Sequence, residues 1–299
     1  MKIFCTGASG YIGGSVAAHL IAAGHQVTGL VRSQDKADEV RTRGIEPVLG
    51  TLDDAAVLSQ AAKAADAVVN AASADHKGAV VALLDALAGS GKPFIHTSGS
   101  SIVGTPARGE RSDAVFDEDT PFTPSSVRAA RVALNEFILS YRDKGCRPVI
   151  ICPSLIYGAG HGAKADSVQV PYLIKLARKR GNAAHAGPGE NIWSDVHIDD
   201  LVPLYALAIE KAPAGSFYFV ENGEHSMREL CEAINRMLGF QGLPAAISMA
   251  EAAAAWGEGA AENTMASNSR IRAKRARQLG WTPKSRDVIE EIEQGCYRE

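Results

Sequence analysis

The sequence predicts an α/β fold: a doubly wound parallel sheet with a smaller, mixed C-terminal portion. Three observations carry the prediction. Apolar, β-branched runs alternate with helical runs through the first half, and parallel strands need such crossovers. A glycine-rich turn directly follows the first strand and opens a helix. The 299 residues, 46% hydrophobic and 22% charged, suffice for a large core without disulfides or a structural metal.

Residues 2–5 form a short apolar strand that runs into Thr6-Gly7-Ala8-Ser9-Gly10-Tyr11-Ile12-Gly13-Gly14. Residues 15–23 are helical in pattern, and Gly24 caps them. Strands follow at 26–31, 47–49, 67–71 and 93–97, with helices at 36–43, 55–64 and 79–88 between them. Residues 104–126 are polar, broken by glycine and proline, and read as a long loop of the kind that often carries function. A helix at 126–144 and a strand at 147–152 end the regular pattern, which weakens after Pro153. Beyond it, 193–212 contains a helix, 216–220 reads as a strand, 227–238 as an amphipathic helix, and the last helix lies near 286–294. The alanine-rich stretch 245–261 suits a helix, and no internal repeat is present.

With 31 basic and 34 acidic residues the net charge is −3, so no global field draws the chain to nucleic acid or an anionic membrane. Cys5, Cys146, Cys152, Cys231 and Cys296 are scattered and odd in number, with no CxxC pair. They predict reduced thiols in a cytoplasmic protein and no metal site. The N-terminus has too few apolar residues before Gly7 for a signal peptide, and no run approaches the ~18 apolar residues of a membrane span.

Gly7, Gly10 and Gly13 have GxxGxxG spacing. In a strand–turn–helix context, one glycine allows the tight turn, one lets backbone approach a pyrophosphate, and one lets helix and strand pack closely. The helix N-terminus then offers amide hydrogens to the phosphates. A Rossmann-like dinucleotide site follows, with Ser9, Tyr11 and Ile12 in the same loop. The second strand ends Leu30-Val31-Arg32-Ser33, with no acid before Asp35. An acid there suits the ribose hydroxyls of NAD, whereas the fork of Arg32 suits a 2′-phosphate, so NADP(H) is favoured. A solvated Arg32 with Asp35 turned back to the ribose stays open as the alternative.

These residues resemble the extended short-chain dehydrogenase/reductases, the epimerase/dehydratase-like family. Thr6–Gly13 is similar to its TGxxGxxG, Leu52-Asp53 to its adenine-contacting pair, and Asn70-Ala71-Ala72 to the segment lining the cofactor. His96-Thr97-Ser98-Gly99-Ser100-Ser101-Ile102-Val103-Gly104 resembles the active-site strand. Pro153-Ser154-Leu155-Ile156-Tyr157-Gly158 resembles the turn beside the nicotinamide, and Ser194–Leu201 and Leu279–Pro283 resemble two later motifs. The resemblance implies a nucleotide-binding domain over 1–152, completed by about 193–222, and a substrate-binding portion over 153–192 and 223–299. It implies cofactor contacts from Thr97, Pro153 and Ile156, and a possible homodimer.

The family's Tyr-x-x-x-Lys pair falls on Val127 and Arg131, and its catalytic serine or threonine on Gly99. Valine transfers no proton. Arg131 is left as a ribose ligand, with too high a pKa for a relay. Ser100, Tyr157 and Ser98 are therefore the candidate proton donors. The resulting expectation is an NADP(H)-dependent oxidoreductase acting on a small organic carbonyl or related acceptor. A non-catalytic NADP(H) sensor and a nucleotide-sugar epimerase remain as alternatives. His197 and Asp199 read as scaffold, Glu118 and Asp119 as loop-fixing residues, and His76 and His161 as flanking the pocket. The basic run 270–277 reads as a solvated helix face, because no aromatic residue interleaves it.

Overall fold

The opening strand β1 (Lys2–Thr6) is buried on both faces, with Ile3, Phe4 and Cys5 fully enclosed. Such a strand needs helices above and below it. The chain supplies them in alternation: α1 (Tyr11–Ala22), β2 (Gln26–Val31), α2 (Gln34–Arg41), β3 (Glu46–Leu49), α3 (Ala55–Ala64), β4 (Ala67–Asn70), α4 (Lys77–Leu87) and β5 (Pro93–Thr97). The computed structural model, which describes residues 1–298, continues with β6 (Thr105–Pro106), α5 (Ser126–Ser140), β7 (Arg147–Pro153), β8 (Leu155–Tyr157), α6 (Gln169–Arg180) and β9 (Ala184–Ala186). Then come β10 (Ile192–His197), α7 (Ile198–Lys211), β11 (Ser216–Val220), β12 (Gly223–Ser226), α8 (Met227–Leu238), β13 (Ala245–Ile247), α9 (Met249–Trp256) and β14 (Ser267–Asn268).

The main sheet has the order β11-β7-β5-β4-β1-β2-β3, and every neighbouring pair is parallel. The chain leaves β1 toward β2 and β3, then returns to lay β4 on the other side of β1. That reversal opens a crevice at the C-terminal ends of β1 and β4, where open α/β sheets bind ligands. Val16 and Leu20 of α1, with Leu201, Leu204 and Tyr205 of α7, close one face. Leu58 of α3, Leu83, Leu84 and Leu87 of α4, and Ile138 of α5 close the other. Strands β8, β10 and β12 form a smaller mixed sheet over a separate core of Leu155, Leu173, Trp193, Leu230 and Ile234.

The structure differs from the sequence expectations at four places. Helix α1 starts at Tyr11 rather than residue 15, with Gly10 as its N-cap, because the chain is already helical once Gly7 has turned it. Segment 193–222 does not rejoin the main sheet as a unit: β10 pairs in the small sheet, and only α7 and β11 return. The alanine-rich stretch is not one helix, since Ala245–Ile247 pairs with β9 before Ser248 and Glu251 form the capping box that starts α9.

The basic run is not a solvated helix face. Ile271 is fully buried and bridges Phe116, and helix appears only over Lys274–Gln278. Arg270 and Arg272 share Glu224 at 2.7 and 2.9 Å, and Lys274 and Arg275 share Asp119 at 2.6 Å each. The Asp119 pairs, with Glu118 accepting the backbone N–H of Phe219 at 3.1 Å, fasten the long loop before α5 to the C-terminal portion.

Candidate active site

The three glycines of the first turn do different steric work. Gly7 has φ +76°, and a Cβ there would lie 2.8 Å from the Ala71 and Ala72 backbone. At Gly13 a Cβ would lie 2.3 Å from the Gly7 carbonyl oxygen, so this glycine sets how closely α1 approaches β1. A Cβ on Gly10 meets only the Gly7 oxygen, at 3.1 Å, and its open side faces the crevice. The first turn of α1 is also pinned from above. Tyr11 Oη donates to the Gly158 carbonyl at 2.8 Å, the His161 N–H donates to Ser15 Oγ at 3.0 Å, and Gly14 and Gly162 meet backbone to backbone.

The crevice is a cleft of about 730 Å³. Gly7, Ser9, Gly10, Tyr11, Ile12 and Gly13 line it from the turn, and Arg32 lines it from the end of β2. Leu52 and Asp53 follow β3, Ala71 and Ala72 follow β4, and Ile156 enters from β8. The sequence marked all twelve. Arg32 is exposed, and no carboxylate among the described residues pairs with it. Asp35 does not line the cleft, whereas Lys36 does, held 2.6 Å from Glu39. Asp53 Oδ1 lies 3.2 Å from His76 Nε2, and His76 Nδ1 accepts the Ala79 N–H to cap α4. Lys164, Asp166 and Ser167 complete the wall; sequence reasoning missed them because the loop after β8 has no period or motif.

The other marked residues lie outside this cleft. Thr97 Oγ1 is 2.7 Å from the buried Tyr205 hydroxyl, and Pro153 ends β7 opposite Val220. Ser98 is buried and accepts from Asn135 Nδ2 at 3.0 Å. Ser100 is buried with its Oγ 2.8 Å from Ser269 Oγ. Tyr157 is buried in the smaller core, where its hydroxyl donates to the Arg286 carbonyl at 2.6 Å. That burial pushes the phenol's pKa up.

Arg131 forms a two-armed ion pair with Asp75, Nε to Oδ1 at 2.7 Å and Nη2 to Oδ2 at 2.5 Å. Those hydrogen bonds hold the Asp75 carboxyl below the ordinary range. The remaining arm, Nη1, lies 3.5 Å from Ser101 Oγ and 3.6 Å from where a Cβ on Gly99 would sit. Ser101 and Asp75 were missed in the sequence. Two neighbouring serines masked the first, and no motif marks the second. Val127 is 61% exposed on the first turn of α5. Below this cluster His96 is fully buried, with Nδ1 3.0 Å from Asn70 Nδ2 and no partner for Nε2. Burial lowers its pKa to about 4, so it is neutral.

A family profile described as the NAD dependent epimerase/dehydratase family matches residues 3–220. The chain belongs to that family. It is 33% identical to Oxidase ucsJ of Acremonium sp, covering 98% of this chain and 95% of the relative. It is 30% identical to the 2-alkyl-3-oxoalkanoate reductase of Stenotrophomonas maltophilia, covering 82% and 77% respectively. Its fold superimposes on a Bacillus anthracis dTDP-glucose 4,6-dehydratase solved with NAD, with a TM-score of 0.78, 18% identity, and coverage of 99% and 96%.

This is the extended short-chain dehydrogenase/reductase group, whose work is redox chemistry with NAD(P). The cleft fits such a cofactor: backbone closes it at Gly7 and Gly13, where any side chain would collide, and leaves it open at Gly10. Among the described residues no cluster is placed to hold a metal, and no helix is long and apolar enough to cross a membrane.

Proposed function

We propose that the chain is an NADP(H)-dependent reductase of small organic carbonyl compounds. One observation carries the cofactor choice: Arg32 lines the cleft at the end of β2 with no ion-pair partner among the described residues, and Asp35, the first acid after that strand, does not line it. The turn from Gly7 to Gly13 would hold the pyrophosphate, Leu52 and Asp53 the adenine, and Arg32 the 2′-phosphate. The family relative named a 2-alkyl-3-oxoalkanoate reductase supports the reaction class. When bound, the cofactor would supply the hydride for a carbonyl carbon, and a solvent proton would complete the alcohol at the oxygen that takes up the carbonyl electron pair.

The protein's part is to steady the oxygen as it becomes negative. We assign that to Ser101 Oγ and Arg131 Nη1 rather than to Ser98, Ser100 or Tyr157, whose hydroxyls are enclosed and already bonded. Asp75 fixes the guanidinium in place. The sensor reading retains one support, Val127 in place of a proton donor.

Two measurements test this reading. In fluorescence titrations, Arg32→Ala should weaken NADPH about 10–100-fold, the size of a lost charge-assisted contact, and NADH less than about threefold. Equal losses would remove the NADP(H) assignment. NADPH consumption over an aldehyde and ketone panel should fall in Ser101→Ala, while tight NADPH binding without turnover would establish the sensor instead.

A further inference from the structure

One cation at the catalytic end has no partner. Arg128 sits in the first turn of α5, three residues before Arg131, so the two side chains leave the helix on one face. It is half-buried, and no carboxylate, carbonyl or ring among the described residues pairs with it. Arg131 already engages both oxygens of Asp75. Other arginines withdrawn from solvent are satisfied: Arg270 by Glu224, and Arg147 by the carbonyls of Ala208, Ile209 and Ala212. Around Arg128, burial and the Arg131 charge both oppose its own charge, and only Asp75 favours it. Two guanidiniums against one carboxylate leave a positive excess in a partly dry place, a cost that a visiting anion relieves.

We propose that Arg128 binds a carboxylate carried by the substrate, so that the protein acts on oxo acids in preference to neutral carbonyls. This rests on the reductase reading above. The planar fork of arginine matches a carboxylate through two parallel hydrogen bonds. Three residues of helix rise only about 4.5 Å, which sets the carboxylate a few bonds from a carbonyl oxygen at Arg131 and Ser101.

The test compares a 3-oxo acid with its methyl ester by NADPH consumption, in the wild type, Arg128→Gln and Arg128→Lys. The wild type should favour the acid at least tenfold in kcat/KM. Arg128→Gln should erase that preference through KM, and Arg128→Lys should keep part of it. Equal use of acid and ester by the wild type, or a preference surviving in Arg128→Gln, overturns the anion site and leaves the reductase reading standing. Should neither compound turn over, binding decides the site. Calorimetry with NADP⁺ present should then give heat for octanoate and none for octanamide, with the octanoate heat lost in Arg128→Gln. No octanoate heat, or heat unchanged in that variant, overturns the proposal.

Discussion

The glycine turn offers a clean separation of folding from binding. In Gly13→Ala the new Cβ would sit 2.3 Å from the Gly7 carbonyl oxygen and 2.7 Å from its carbon. Ordinary contact begins near 3.4 Å, so α1 must retreat from β1 by about 1 Å. Both colliding partners are backbone, which cannot swing aside, so the cost belongs at the upper end of overpacking, ~3 kcal/mol. For a chain of 299 residues, with about 2.1 cal/mol/K of unfolding entropy per residue, that lowers Tm by roughly 5 °C.

Gly10→Ala is different. Its Cβ meets one atom, at 3.1 Å, and its φ of −89° suits alanine. Folding loses only what an N-cap loses on gaining alanine, under about 1 kcal/mol. Yet the methyl projects where the pyrophosphate must approach, so NADPH binding should weaken at least ~10-fold, the loss of one charge-assisted contact. Thermal unfolding by circular dichroism and NADPH fluorescence titration of both variants provide the check. Refutation takes either form: Gly10→Ala melting as low as Gly13→Ala, or Gly10→Ala binding NADPH like the wild type.

The enclosed hydroxyls and the buried titratable groups supply the remaining predictions. Ser100→Ala and Tyr157→Phe should keep turnover, while Tyr157→Phe loses about 1–3 kcal/mol in urea unfolding because the Arg286 carbonyl loses its donor; a tenfold fall in kcat would return the chemistry to them. Acid should destabilise the fold in two windows. His96 has its folded pKa lowered from 6.5 to about 4 by burial, so the unfolded chain binds the extra proton and stability falls between those values as pH drops. Glu224 is held down from 4.5 to about 2, first by the Arg270 hydrogen bonds, so its contribution is present above 4.5 and is lost toward pH 2. Urea midpoints against pH should flatten in the upper window for His96→Asn and in the lower one for Glu224→Gln; unchanged slopes would disprove the assignments.

The first half of the fold was legible because its constraints are local. Strands buried on both faces read as apolar runs, and 26–31, 55–64 and 93–97 appear at the residues their periodicity marks. The C-terminal portion was less legible because its elements are held by distant partners. Ala245–Ile247 is a strand only because β9 lies beside it, against the helical leaning of its alanines. Residues 267–272 are extended because β6, Ser194 and Phe116 pair with them, and their arginines are neutralised by acids far away in sequence.

The same distinction divides the candidate site. Its phosphate end is built from backbone, and backbone can approach a ligand, or another backbone, only where side chains are missing. That requirement is steric and fixed to positions, so GxxGxxG reveals it and the cleft residues follow. Its redox end needs only a donor near one atom, and many chain positions can deliver one. The sequence placed the donor among Ser98 and Ser100, which flank Gly99, and Tyr157, in the turn that resembles the one beside the nicotinamide. The turn over Ser100–Val103 instead puts the Ser100 side chain inward and brings that of Ser101 to Arg131. Nor does Arg131 stand for lysine alone. Its guanidinium reaches over Gly99, where a Cβ would lie 3.6 Å from Nη1, in the space that a serine side chain there would enter. On that reasoning Gly99→Ser should restore nothing, because the introduced hydroxyl would crowd the guanidinium. Asp75→Asn should lower kcat through loss of Arg131's anchor while sparing NADPH binding at the glycine turn. A Gly99→Ser variant with faster turnover would show that the serine role is vacant rather than exchanged.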